Sequence, residues 1–166
     1  GSKVSFHIKL EDECSLDSFC LSGLNSISQQ MSQIQYVKLL IVDDEEFNQK
    51  ALKIILKYSI KLDPQVKIDV ANNGKEAVEM IVNDINKNEC LSYPVILMDC
   101  NMPFLNGYEA TRMIRQIVAD ANKVQPLIIA VTSHTEQEFY EQCIECGMNA
   151  VIAKPVDSTI LKKLLA

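Results

Sequence analysis

Five short runs rich in apolar residues, each followed at once by a polar side chain, recur along this chain at 37–42, 66–71, 95–98, 127–131 and 150–153. The first reads as a strand covered on both faces. Helical stripes spaced by three and four fill the intervals. They comprise Phe47, Ala51, Ile54, Ile55 and Tyr58; Ala77, Val78, Ile81, Val82 and Ile85; Ala110, Ile114, Ile117 and Val118; Phe139, Cys143 and Cys146; and Ile160, Leu161, Leu164 and Leu165. Asn72-Asn73-Gly74 reads as a turn, and Gly147 as the end of the fourth helix. Strict strand–helix alternation predicts an α/β fold, a doubly wound five-stranded parallel sheet with helices on both faces. Right-handed crossovers leave few topologies. The flavodoxin-like order 2-1-3-4-5 is adopted from known doubly wound sheets and is not dictated by this pattern.

Parallel strands share one carboxyl edge, and ligands of open α/β sheets bind just outside it. Asp43, Asp44, Glu45 and Glu46 follow the first run, Asp99 the third, Thr132 the fourth and Lys154 the fifth. Residues tens of positions apart therefore converge on one crevice. Each has a plainer reading alone: acids after a strand cap a helix, and Lys-Pro enters one. Their coincidence at one edge is what points to chemistry. Two unit charges about 4 Å apart cost roughly 4 kcal/mol at an effective dielectric near 20, so clustered carboxylates call for a cation. Carboxylate oxygens with waters suit Mg2+, which leaves room for phosphate oxygens. A carboxylate nucleophile, a metal, the Lys154 ammonium and the Thr132 hydroxyl together can neutralise a phosphoryl group in transfer.

The rest of the composition narrows the field. Of 166 residues, 48% are hydrophobic and 23% charged, as in soluble globular proteins. A net charge of −6 argues against a nucleic-acid surface. No apolar run reaches the ~18 residues of a membrane span, and no secretory leader is visible. Among six cysteines, only Cys143 and Cys146 have metal-like or redox-like spacing, with His134 the one other nearby candidate. Lacking a second pair, they read as reduced, partly buried thiols of a cytoplasmic protein. Residues 1–10 alternate as Val4, Phe6, Ile8 and Leu10 against polar neighbours, the mark of a strand with one wet face. Residues 11–36 read as a linker, with a short helix near 27–34.

At this point residues 37–166 resemble the receiver domain of response regulators, the CheY-like superfamily. The motifs are Asp43-Asp44 after the first strand; Met98-Asp99-Cys100-Asn101-Met102-Pro103 with Gly107 eight after the aspartate; Ala130-Val131-Thr132; and Gly147-Met148 leading to Lys154-Pro155. The resemblance implies that Asp99 is the phospho-acceptor of a two-component phosphorelay. It further implies that Asp43, Asp44, Asp99 and the backbone carbonyl of Asn101 bind Mg2+, and that Thr132 and Lys154 contact the phosphoryl group. The implied donor is a phosphohistidine, on a histidine kinase dimerisation domain or a histidine phosphotransfer protein, with weak homodimerisation a further expectation. Such a fragment catalyses only its own phosphorylation and dephosphorylation, and contacts neither nucleic acid nor membrane.

Residues 106–112, Asn-Gly-Tyr-Glu-Ala-Thr-Arg, look most like receivers fused to sensor histidine kinases. Residues 1–10 resemble the last strand of a kinase ATP-binding domain, although Gly1-Ser2 equally suits a cloning tag. The expectation is the carboxyl-terminal receiver of a hybrid kinase, whose parent chain can be membrane-anchored. Val151 departs from the aromatic residue often found three before the lysine, Ser133 from the usual small residue after the threonine, and Phe104 and Asn106 vary the loop after Asp99. The alternatives are a receiver-like scaffold, disfavoured because no acid or lysine is lost; an aspartate-nucleophile phosphatase, disfavoured because Asn101 stands where a second acid belongs; and a flavin carrier, disfavoured by the acidic Asp-Asp-Glu-Glu loop.

Overall fold

The computed structural model describes residues 37–134 and 136–166. The strand expected at 1–10, the linker at 11–36 and the helix near 27–34 lie outside the described residues. Five parallel strands form one sheet in the order β2-β1-β3-β4-β5: β1 Lys38–Val42, β2 Lys67–Ala71, β3 Val95–Asp99, β4 Leu127–Thr132 and β5 Ala150–Ala153. The helices are α1 Glu46–Ile54, α2 Gly74–Lys87, α3 Gly107–Asp120, α4 Gln137–Glu145 and α5 Ser158–Leu165. The expected fold and strand order are those observed.

Period-two alternation divides the strands between two cores. Leu40, Val42, Ile96, Met98, Ile128 and Ala130 face one side, against Ala77, Val78 and Ile81 of α2, Ala110, Ile114 and Val118 of α3, and Cys143 of α4. Leu39, Ile41, Leu97, Ile129, Val131 and Ile152 face the other, against Leu52, Leu56 and Leu161. The three central strands β1, β3 and β4 are thus buried on both faces, as their apolar runs required.

One stripe is corrected. Spacing put Phe47, Ala51, Ile54, Ile55 and Tyr58 on the inner face of α1, but Phe47, Ile54 and Tyr58 are 79%, 57% and 66% exposed. The buried positions are Gln49, Leu52 and Leu56. Two stripes compete on this helix, and the winning one includes a polar residue whose amide finds buried acceptors. The helix also continues into a π-helical turn at Ile55–Ser59, closed by Ile60 N–H donating to the Ile55 carbonyl. That wider turn changes which later residues face inward.

Local chemistry sets the helix starts near the carboxyl edge. Asn73 caps α2 by accepting from Glu76 N–H, and Asn106 caps α3 by accepting from Glu109 N–H, each at 2.9 Å. Gly147, with φ +102°, stops α4 as expected.

Candidate phosphoryl-acceptor site

Register brings the polar residues together. Val42 stands beside Met98, so Asp43 emerges level with Asp99. Asp99 stands beside Val131, and Thr132 beside Ala153, with Lys154 next in the chain. Carboxylate oxygens of Asp43, Asp44 and Asp99 all lie within 4.8 Å of one another. Asp43 and Asp99 are buried at 1% and 6% exposure, while Asp44 is exposed.

Lys154 reaches across from β5 to both buried acids. Its Nζ lies 2.8 Å from Asp43 Oδ2 and 3.2 Å from Asp99 Oδ1. Burial works against the ammonium charge, but Asp43 and Asp99 outweigh it and hold Lys154 above its ordinary value. Asp99 moves the other way from most paired carboxylates. Burial pushes it up to about 6; Lys154 pulls it down, and the neighbouring Asp43 and Asp44 raise it again. One lysine does not balance three acids at this separation.

Asp43 is held more firmly than Asp99. Its Oδ1 accepts from Glu45 N–H at 2.9 Å and from Asn48 Nδ2 at 3.2 Å. Buried Gln49 donates from Nε2 to the Asp43 carbonyl at 2.7 Å and to Asn72 Oδ1 at 3.0 Å. Sequence reasoning missed Asn48 and Gln49. Their signal was present as two amides in the first turns of a helix that follows an acidic pair. Thr132 is buried, and its Oγ1 accepts from His134 N–H at 3.1 Å. Asn101 sits two residues beyond Asp99 in an exposed stretch of loop. Gly107 is forced by close approach: a Cβ there would stand 2.1 Å from the Asp99 carbonyl oxygen. Its N–H donates to the Cys100 carbonyl at 2.9 Å, closing the loop after the acceptor.

Among the described residues, the acid trio is the one grouping of three metal-type ligands within reach of a single ion. Cys143 and Cys146 are buried and do not form a zinc-type set; Cys146 Sγ donates to the Cys143 carbonyl. Phe139, placed by spacing on one face with Cys143 and Cys146, is half-buried outside both cores and stacks on His134 at 4.3 Å.

Residues 39–166 match the family model described as the response regulator receiver domain. The chain belongs to that family. The receiver is 33% identical over 129 residues to hybrid signal transduction histidine kinase A of Dictyostelium discoideum, covering 78% of this chain and 6% of that protein. It thus spans a small part of that relative. The crystal structure of the receiver domain of the histidine kinase CKI1 from Arabidopsis thaliana, complexed with Mg2+, superposes with a TM-score of 0.66 at 28% identity, covering 77% of this chain and 91% of that one. The co-crystal structure of the Saccharomyces cerevisiae histidine phosphotransfer signaling protein Ypd1 and the receiver domain of Ssk1 gives 0.62 at 27% identity, covering 77% and 85%. No helix among the described residues of the receiver is long and apolar enough to cross a membrane.

Proposed function

We propose that Asp99 accepts a phosphoryl group from a phosphohistidine and that the chain is one station of a phosphorelay. The observation that carries this reading is the buried Asp99 carboxylate, within reach of two further acids and 3.2 Å from Lys154. In the transfer, an Asp99 carboxylate oxygen bonds to phosphorus as the phosphorus–nitrogen bond of the donor imidazole breaks. The freed imidazole takes up a proton. Lys154 follows the charge from the carboxylate to the phosphoryl oxygens, and the Thr132 hydroxyl offers them a donor.

The donor set fits a hard divalent cation: three carboxylates converge and one ammonium leaves them short of positive charge. Asp43, Asp44, Asp99 and the Asn101 carbonyl would hold Mg2+, in keeping with the magnesium-complexed relative. When bound, that ion supplies neutralisation of the phosphoryl oxygens.

A histidine phosphotransfer protein suits the surroundings. Phe47, Ile54 and Tyr58 leave an apolar face on α1, and Phe104, 91% exposed, stands on the loop after Asp99. Such exposed apolar groups mark protein contacts. The relatives support reading residues 39–166 as the receiver of a hybrid histidine kinase; residues 11–36 as its linker and residues 1–10 as the end of a preceding domain or a tag rest on the sequence pattern alone. On this reading it works in the cytoplasm and turns over no outside substrate.

Incubation with acetyl phosphate and Mg2+, read by intact mass, tests the site. One phosphoryl group, stable to acid and labile to base, is expected on the unsubstituted chain and none on Asp99→Asn. Full labelling of that variant would reject the assignment.

A further inference from the structure

Spacing pairs Cys143 with Cys146, but the fold brings Cys143 to a different partner. The Sγ atoms of Cys100 and Cys143 lie 3.6 Å apart, both fully buried, across 43 residues of chain. Cys100 directly follows Asp99, and Cys143 lies on α4. The buried Tyr108 hydroxyl sits beside both sulfurs. From this juxtaposition we infer that Cys100 and Cys143 are a site of oxidative modification, forming a disulfide that ties α4 to the loop after the acceptor.

The separation favours a bond between thiols over a metal. Sulfur atoms in a disulfide stand about 2.05 Å apart, so closure needs a movement of only ~1.5 Å, shared between two side chains. A structural zinc requires about four ligands in a tetrahedron, and the cysteines form no three-ligand grouping among the described residues. Both thiols are fully buried, so oxidation requires a local opening, and α4 is a nine-residue helix whose side chains Tyr140 and Ile144 are exposed. Brief opening of so short an element admits a molecule the size of peroxide.

The chemistry balances with a peroxide as the two-electron oxidant. Cys143 sulfur attacks hydrogen peroxide, the oxygen–oxygen bond breaks, and a sulfenic acid and one water form. The Cys100 sulfur then attacks Cys143, the sulfur–oxygen bond breaks, and the hydroxide leaves with the Cys100 proton as a second water. Either sulfur can donate to the other in the reduced pair, so the two roles are interchangeable in this balance.

Position gives the bond a consequence. The Cys100 carbonyl accepts from Gly107 N–H and so anchors the loop that carries Asn101. A covalent tie from Cys100 to α4 restrains that loop during phosphorylation. The effect on phosphorylation rests on the function proposed above, whereas the disulfide itself does not.

The test treats the full chain with hydrogen peroxide, alkylates remaining thiols after unfolding, and maps the peptides. Expected is a joined Cys100–Cys143 peptide pair, lighter by two hydrogens and reopened by dithiothreitol. In Cys143→Ala, and separately in Cys100→Ala, the remaining thiol should stay open to alkylation. Modification of Cys90 with both buried thiols still free would overturn the proposal, as would a Cys143–Cys146 bridge. In the second arm, the oxidised chain should label with acetyl phosphate several-fold more slowly and recover on reduction; equal rates would overturn the coupling to Asp99. If the reduced chain does not label at all, the acceptor reading fails, while the peptide map still decides the disulfide.

Discussion

Replacing Asp99 by asparagine stabilises this chain in the absence of divalent cations, and does so only above the pH at which the carboxyl ionises. The folded site raises that carboxyl from 3.8 to about 6, through burial first and the neighbouring acids after it. The folded state therefore holds the proton more tightly than the unfolded chain. Below about pH 4 both states are protonated and the site carries no penalty. Between about pH 4 and 6 the unfolded chain ionises first, so stability falls as pH rises; above about pH 6 the full penalty applies.

At ~1.4 kcal/mol per pH unit that displacement corresponds to roughly 3 kcal/mol. Screening by water at the cleft mouth reduces this to on the order of 2 kcal/mol. Lys154 stays charged throughout the window, being held above its ordinary value, so it does not distort the profile. Asp99→Asn removes the penalty and keeps an oxygen for Lys154. Urea denaturation of both proteins with a chelator present should show the variant more stable by about 2 kcal/mol near pH 8 and equal near pH 4. Saturating Mg2+ should cancel the difference by stabilising the unsubstituted protein, because a ligand of the folded state adds its binding energy to stability. A variant less stable than its parent near pH 8 without metal, or a gap independent of pH, would refute the reasoning.

The same geometry carries three further outcomes. Labelling by acetyl phosphate at limiting Mg2+ should rise with pH through a midpoint near 6, and that midpoint should move down as Mg2+ is raised; a profile unaffected by the metal would separate it from Asp99. Gly107→Ala places a methyl group 2.1 Å from the Asp99 carbonyl oxygen, and should cost upwards of about 3 kcal/mol in urea denaturation, beyond ordinary overpacking. Gln49→Ala leaves the Asp43 carbonyl and Asn72 amide without their donor, and should cost about 1–3 kcal/mol while weakening Mg2+ binding in a calorimetric titration.

Val151 bears on how the chain responds once Asp99 is phosphorylated. It lies half-buried against the first core, a stiff β-branched side chain where the sequence resemblance leads one to expect an aromatic ring. Thr132 is instead tied to the next loop through the His134 amide. A chain that chiefly passes its phosphoryl group onward needs little rearrangement here. Amide shifts on adding a beryllofluoride mimic should stay near the loops after β1, β3 and β4; large changes across α4, β5 and α5 would show a switch that works without the ring.

The sheet, its order of helices and the edge where Asp43, Asp99, Thr132 and Lys154 meet were legible in the sequence alone, because each rests on a local pattern. A strand's apolar run declares both of its faces, and parallel strands must present their carboxyl ends together. The pattern was silent where two local solutions were equally good. On the first helix the sequence pointed to the Phe47–Ile54–Tyr58 stripe, whereas the fold buries Leu52 and Leu56 in the second core and gives the Gln49 amide its acceptors. Distances between remote residues were silent too. Spacing offered Cys146 to Cys143, yet Cys100 lies against it, since contact across 43 residues depends on how α4 seats on the sheet. Likewise the sequence placed Lys154 at the edge, but its closer approach to Asp43 than to Asp99 was not legible there, since β3 lies nearer β5 than β1 does and the reach of the side chain decides it. Periodicity fixes which face a residue occupies; packing alone fixes what it meets there.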